Sequence, residues 1–197
     1  MIHSDQLHET RGFWWARHDL LTYKVPIEEG GILLPSYYLV PGFIPDTTAI
    51  WYKFVHGRKD NRRIGDFSGL FDSIFFVNVR AKEMFSDMFE KHGRIYPIRC
   101  SNEIHFLVLI DTLHNAIDLK RSEFDRSEIE ERVEDDISRF FEVTLKPGFT
   151  TDDDIFRLSG SFFLNTVLIV SNRFKKRYEE NGFTGLKFKA TNGKLQG

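Results

Sequence analysis

Asp111 and His114 stand three residues apart in the run IDTLH. A carboxylate and an imidazole at that spacing can orient a base or share a metal ion. His105 lies just upstream, but it alternates with apolar residues, as a half-buried strand residue does. Two ligands do not make a metal site, so a small metal-dependent enzyme around Asp111 and His114 is an alternative reading. Asp152, Asp153 and Asp154 place three carboxylates in a row. No Glu or Gly follows at calcium-loop spacing, which favours a polar loop leading into the next element.

Arg58, Lys59, Arg62 and Arg63 form the densest basic cluster, with Tyr52 and Phe54 just before it. Cations beside aromatic rings can grip a phosphate backbone, so a nucleic-acid-binding module using Arg58 to Arg63 is a second alternative. Cys100 has Arg99 beside it and no assignable His or Asn partner, which makes a free buried cysteine the simpler reading. The chain has no glycine-rich phosphate loop, no GxSxG elbow, no HExxH and no paired CxxC. The expectation is a protein without catalytic residues, metal ligands or cofactor.

The chain that must position these groups has 197 residues, a formal net charge of −2, 41% hydrophobic and 28% charged residues. That length is one large domain or two small ones, with a proper core. The near-neutral total argues against a general nucleic-acid binder. Phe is in surplus, with 20 against 6 Tyr and 3 Trp, and having no polar handle it belongs in a core or a contact surface. A single cysteine cannot form an internal disulfide, so a reducing compartment is permitted. The opening MIHSDQLHETR is polar, and no run approaches the ~18 apolar residues of a membrane span. A soluble, cytoplasmic protein with no membrane association is expected.

Charge is unevenly spread. Residues 118 to 154 hold 13 acidic and 6 basic side chains, and residues 173 to 194 hold 7 basic and 2 acidic ones. Such runs are either solvated faces or surfaces that steer a partner of opposite charge. Glu130, Glu131, Glu134, Asp135 and Asp136 are the densest acidic group, and Asp152 to Asp154 the second. Phe13, Trp14 and Trp15 stand in a row that no regular period can bury on one face, so Trp14 and Trp15 are candidate apolar anchors.

Residues 26 to 50 are punctuated by Pro and Gly and read as short strands, Ile32 to Leu34 and Tyr37 to Val40 among them, followed by Trp51 to Val55. Ser73 to Val77 is a continuous apolar strand suited to a sheet centre. Asn78 is a good N-cap. Ala81, Met84, Phe85, Met88 and Phe89 then share one helical face, with Gly93 as its stop and Arg94 to Arg99 as a strand whose Pro97 indicates an edge position. The same grammar recurs: Asn165 to Val170, capping Ser171, Phe174 and Tyr178 on a short helix, Gly182, and Leu186 to Lys189. At an offset of 93 residues Val77, Arg80 and Lys82 match Val170, Arg173 and Lys175. Between the two units, Glu103 to Ile110 is a strong strand. Ile129, Val133 and Ile137 predict a helix over 126–137, Phe140 to Leu145 predicts a strand ended by Pro147-Gly148, and Thr151 to Asp154 read as a polar loop before Ile155 to Leu158. The fold class is α+β: a mixed, mainly antiparallel sheet with short, duplicated strand–helix–strand units. A strand- and turn-rich part over 1–65 and an α+β part over 66–197 form one compact unit in this reading.

The second half resembles bacterial polymorphic-toxin immunity proteins, a family once carried as a domain of unknown function. The resemblance rests on Ile110, Asp111, Ala116, Asp118 and Ser122, on IFRL at Ile155 to Leu158, and on VSNRFKKRYEENGFTGLKF from Val170 to Phe188. Gly182, Thr184, Gly185 and Phe188 fit the family's closing strand. FFVNVRAKEMF fits its upstream strand–helix step, with Asn78 where Ser is usual. The likeness covers roughly residues 66 to 190. It implies an α+β fold, a cytoplasmic home and a role without catalysis, namely binding and neutralising a cognate toxin domain. Under that reading Glu131, Glu134, Asp135, Asp136, Asp152, Asp153, Asp154, Trp14 and Trp15 are the candidate partner-binding residues.

Overall fold

Ile74, Phe75, Phe76 and Val77 are all buried, which requires a strand covered on both faces. The computed structural model describes residues 12–18, 26–28, 51–54, 64–68, 74–100, 103–126, 137–160 and 166–191. In it Ile74–Val77 forms strand β5, preceded by β1 (Phe13–His18), β2 (Pro26–Glu28), β3 (Trp51–Phe54) and β4 (Phe67–Ser68). The Asn78 side chain accepts the Ala81 N–H at 2.9 Å, satisfying one of the bare amides at the start of α1 (Val79–Met84). Phe85 interrupts the helix, and α2 (Ser86–His92) follows. Ala81, Phe85, Met88 and Phe89 are buried as their spacing predicts, but Met84, just before that break, is 40% exposed.

Gly93 is not the left-handed stop its position implies. Its backbone is extended, and it opens β6 (Gly93–Cys100) directly. A Cβ there would lie 2.1 Å from the Leu109 carbonyl oxygen of β7 (Glu103–Ile110), so glycine is required by the close approach of two strands. The remaining elements are β8 (Leu113–His114), β9 (Glu123–Arg126), β10 (Ile137–Glu142), β11 (Ile155–Leu158), β12 (Leu168–Ser171), α3 (Asn172–Glu180) and β13 (Leu186–Ala190).

One sheet has the order β2-β3-β6-β7-β5-β4 and the other β13-β1-β12-β11-β8, while β9 and β10 pair separately. Neighbours are antiparallel except β3 with β6 and β8 with β11. The α+β, mainly antiparallel expectation holds. Pro97 corrects one detail: β6 is an inner strand, not an edge. Its described pairing with β3 is confined to Arg99 and Cys100, so a residue without an N–H is tolerated at Pro97. The helix expected over 126–137 fails at both ends, because Arg126 and Ile137 pair with each other as strand residues; positions 127–136 lie outside the described residues. The Ile32 to Leu34 and Tyr37 to Val40 strands lie outside them as well.

The duplication seen in sequence is present in register. Val77 and Pro97 both pair with Phe106 of β7, and Val170 and Ala190 both pair with Trp14 of β1. Each unit is therefore a strand, a helix and a second parallel strand, with one antiparallel strand inserted between the two. The offset of 93 residues holds on both sides of the inserted strand. The strand preceding each unit matches as well, Phe67 pairing with Val77 and Ile155 with Val170. The units differ in their source of the inserted strand. In the first it is β7, which follows β6 along the chain. In the second it is β1, supplied by the other end of the chain.

The main core lies where the two units face each other. It joins Phe67, Phe75, Phe85 and Phe89 of the first to Phe174, Tyr178 and Phe183 of the second. Phe85, Phe89 and Phe174 are core, as their helical spacing predicts. A second cluster packs Phe13, Phe156, Leu158 and Ile169 on the opposite face of the second sheet against Ala116, Ile117, Val143 and Leu145. The consecutive aromatics of β1 thus divide between faces, with Phe13 in this cluster and Trp14 against the main core.

Candidate functional site

The loop at 151–154, the start of β1 and the start of α3 enclose a cleft of about 430 Å³. Its floor is set by Asp154, which is 4% exposed. The Asp154 carbonyl accepts the Ser171 N–H at 2.8 Å. Its carboxylate accepts the Ser171 hydroxyl at 2.7 Å and Arg173 Nε at 2.9 Å, with a second Arg173 nitrogen closing a bidentate pair. The same arrangement occurs in the first unit, where Asp66 takes N–H and side-chain hydrogen bonds from Asn78 and pairs with Arg80. The hydrogen bonds to Asp154 hold the Arg173 guanidinium above its ordinary value. Asp154 is thus committed to the fold, and Asp154→Asn is expected to lower stability by about 1.5–3 kcal/mol, the range for hydrogen bonds to charged groups. Urea unfolding of the two proteins checks this.

Asp153 is half-buried. Its carboxylate pairs with His114 Nε2 at 2.8 Å and accepts the Thr151 hydroxyl at 3.1 Å, with Lys91 Nζ 3.5 Å away. Burial opposes its ionisation, but the hydrogen bonds from His114 and Thr151, together with the influence of the neighbouring histidines, hold the carboxyl below the usual aspartate range. Asp152 is exposed at the rim, and its carbonyl accepts from Lys91 at 3.3 Å. Trp14 is half-buried: its indole N–H donates to Asn172 at 2.6 Å, and the Lys175 ammonium sits 4.4 Å from the ring centre. The Trp15 side chain, Glu131, Glu134, Asp135, Asp136 and the basic cluster Arg58 to Arg63 lie outside the described residues.

The structure does not bring the enzyme candidates together. Asp111 forms a bidentate pair with Arg94 at 2.5 and 2.7 Å, whereas His114 turns to Asp153. His105 is buried on the face of the first sheet that points away from the helices, and burial pushes its imidazole below the ordinary histidine value. Ser171 lines the cleft, but its hydroxyl donates to Asp154 and accepts from the Phe174 amide, which makes it a helix cap rather than a nucleophile. Lys91 and Arg173 line the cleft and escape the sequence reading. Only Arg173 leaves a signal there, as the partner of Arg80 in the repeat. No helix among the described residues is long and apolar enough to cross a membrane.

Comparison with known proteins gives one finding that covers most of the chain. The model of the immunity protein family (Imm11) matches residues 14–192. A search of curated proteins finds no match.

Proposed function

The chain belongs to the immunity protein family (Imm11), and from that premise we propose that it binds a cognate bacterial toxin domain in the cytoplasm and neutralises it by occupancy, without catalysis. The family match is the observation that carries this reading. The cleft supports it in two ways. Its polar side chains are engaged with one another as caps and ion pairs rather than poised for chemistry. Its rim also presents Asp152 and an ionised Asp153 to solvent, with Trp14 close by.

An inhibitor must capture its toxin quickly, and complementary charge raises the association rate more than it raises affinity. The acidic group formed by Glu131, Glu134, Asp135 and Asp136, together with Asp152 and Asp153, steers a basic partner in this proposal. Asp154 contributes by fixing the loop rather than by contact. Two variants separate the acidic groups: Asp152→Asn/Asp153→Asn, and Glu131→Gln/Glu134→Gln/Asp135→Asn. At least one is expected to associate more slowly than wild type at low salt and with a flatter salt dependence. If both associate like wild type, the acidic segments are not the docking face. The role itself is tested by co-expression with the cognate toxin domain. Restored growth and co-elution on a sizing column are expected. Continued toxicity with no complex overturns the proposal.

A further inference from the structure

His92 is the last residue of α2, and its side chain is buried. It joins the end of α2 to two other parts of the molecule. Its backbone carbonyl accepts the N–H groups of Asp111 at 2.9 Å and Thr112 at 3.2 Å. Its ring Nε2 accepts the Asp154 backbone N–H at 3.2 Å. Because an amide N–H can only donate, Nε2 carries no proton, and the neutral ring holds its hydrogen on Nδ1. That nitrogen lies 3.4 Å from the Thr112 hydroxyl and 3.6 Å from Asp153 Oδ1. The ring therefore ties the end of the first unit's helix to the residue that, through Ser171 and Arg173, organises the start of α3 in the second.

We propose that His92 is a proton-sensitive clasp between the two units, which holds the 151–154 loop when neutral and releases it when protonated. A proton on Nε2 would set one N–H donor against another. The Asp154 amide would lose its acceptor, and the ring and loop could no longer keep their present positions. The charges around the ring are mixed. Asp153 and Asp154 on the loop favour the charged ring, while Lys91 on its own helix and Arg173 on α3 oppose it. Burial is the strongest influence and keeps the imidazole below the ordinary histidine value. His114, from β8, shares Asp153 and competes for the same carboxylate. The direction follows from linkage. The open loop takes up a proton near the ordinary histidine value of about 6.5, and the closed loop does so only at lower pH. Closure is thus favoured above that value and is progressively lost as pH falls through it.

Amide hydrogen exchange on the full chain tests it, with protection factors measured from about pH 7.5 to about pH 5, the range in which histidine changes charge. The Asp154 amide is expected to lose protection on acidification by up to about tenfold per pH unit, the limit for one proton, while amides of β7 keep theirs. In His92→Gln a carbonyl oxygen takes over the acceptor role and cannot titrate, so the loss should disappear. Constant protection in wild type overturns the proposal. So does an equal loss in His92→Gln, or a parallel loss in β7, which would signal global unfolding. Should His92→Gln not fold, the imidazole nitrogen resonances of wild type decide. An Nδ1-protonated tautomer at neutral pH, titrating in step with the Asp154 amide, is expected. The other tautomer, or titration out of step, overturns the proposal.

Discussion

Phe67→Ala is expected to lower stability by about 3–5 kcal/mol, the cost of truncating a buried aromatic. Phe67 belongs to a strand of two residues, yet it is fully buried. Its ring centre lies 5.4 Å from those of Phe75 and Phe85 and 6.4 Å from Phe89 in the first unit. From the second unit, Tyr178 lies at 5.4 Å, Phe183 at 5.9 Å and Phe174 at 6.1 Å. The ring thus fills the seam between the units, and five of these six contacts are edge-to-face, an arrangement aromatic pairs prefer. Neither unit can close the hole alone, because the rings around it are anchored on different elements. Urea unfolding should show a lower midpoint with little change in slope. A loss below about 1 kcal/mol would mean that the seam collapses around the missing ring, and the two-unit packing would need revision.

Gly185→Ala is expected to be at least as damaging. Gly185 has φ +107°, and a Cβ there would lie 1.7 Å from the Phe67 carbonyl oxygen. The approach is fixed, because the Phe67 N–H donates to the Thr184 carbonyl at 2.9 Å and Asp66 accepts both the Thr184 N–H and its hydroxyl. The backbone conformation alone costs an alanine of order 1–3 kcal/mol, and backbone overlap adds to that. Gly148 is the control. It also has positive φ, at +75°, but its Cβ would meet nothing within 4 Å. Gly148→Ala should therefore fold with a modest drop in melting temperature, whereas Gly185→Ala should yield little folded protein. Equal melting temperatures for the two variants would show that the 183–185 turn is not clamped onto β4.

The parts of the fold legible in sequence are those in which local chemistry and global structure agree. Asn78 and Ser171 read as caps and are caps, and the apolar spacing after each gives the buried helical face. Phe67 was not legible, since two strand residues between turns carry no period. The Asp66 and Asp154 anchors of the repeat were also hidden. They precede their caps by different distances along the chain, and only strand pairing shows that they are equivalent. β1 was obscured for a related reason. Its aromatic run looks unburiable on one face, but a strand between two packed faces buries alternate residues on opposite sides. The family match begins at residue 14, well before the resemblance read from the sequence, which is consistent with β1 completing the second unit. At the site, Asp152 to Asp154 were visible as a charge cluster. Their division into a rim residue, a histidine partner and a buried anchor depends on His114, Ser171 and Arg173, which only the fold brings near.

Several of the residues that carry the family resemblance have structural roles. Ser122 donates its hydroxyl to the Asp118 carbonyl at 2.8 Å and accepts the Thr144 N–H at 2.9 Å. Asp111 is paired with Arg94, and the Thr184–Gly185 turn is clamped to β4. What such residues share is a scaffold, and neutralisation by occupancy needs a scaffold and a surface rather than a reactive group. Titrating the activity of the cognate toxin domain with increasing amounts of this protein, at concentrations well above the dissociation constant, tests that claim most directly. Toxin activity is predicted to fall linearly and to reach zero at a fixed molar ratio, with full activity recovered when the complex is dissociated. Loss of activity at far below a stoichiometric amount of this protein, or loss that persists after dissociation, would contradict the account, because either would mean that the protein acts on the toxin as a catalyst.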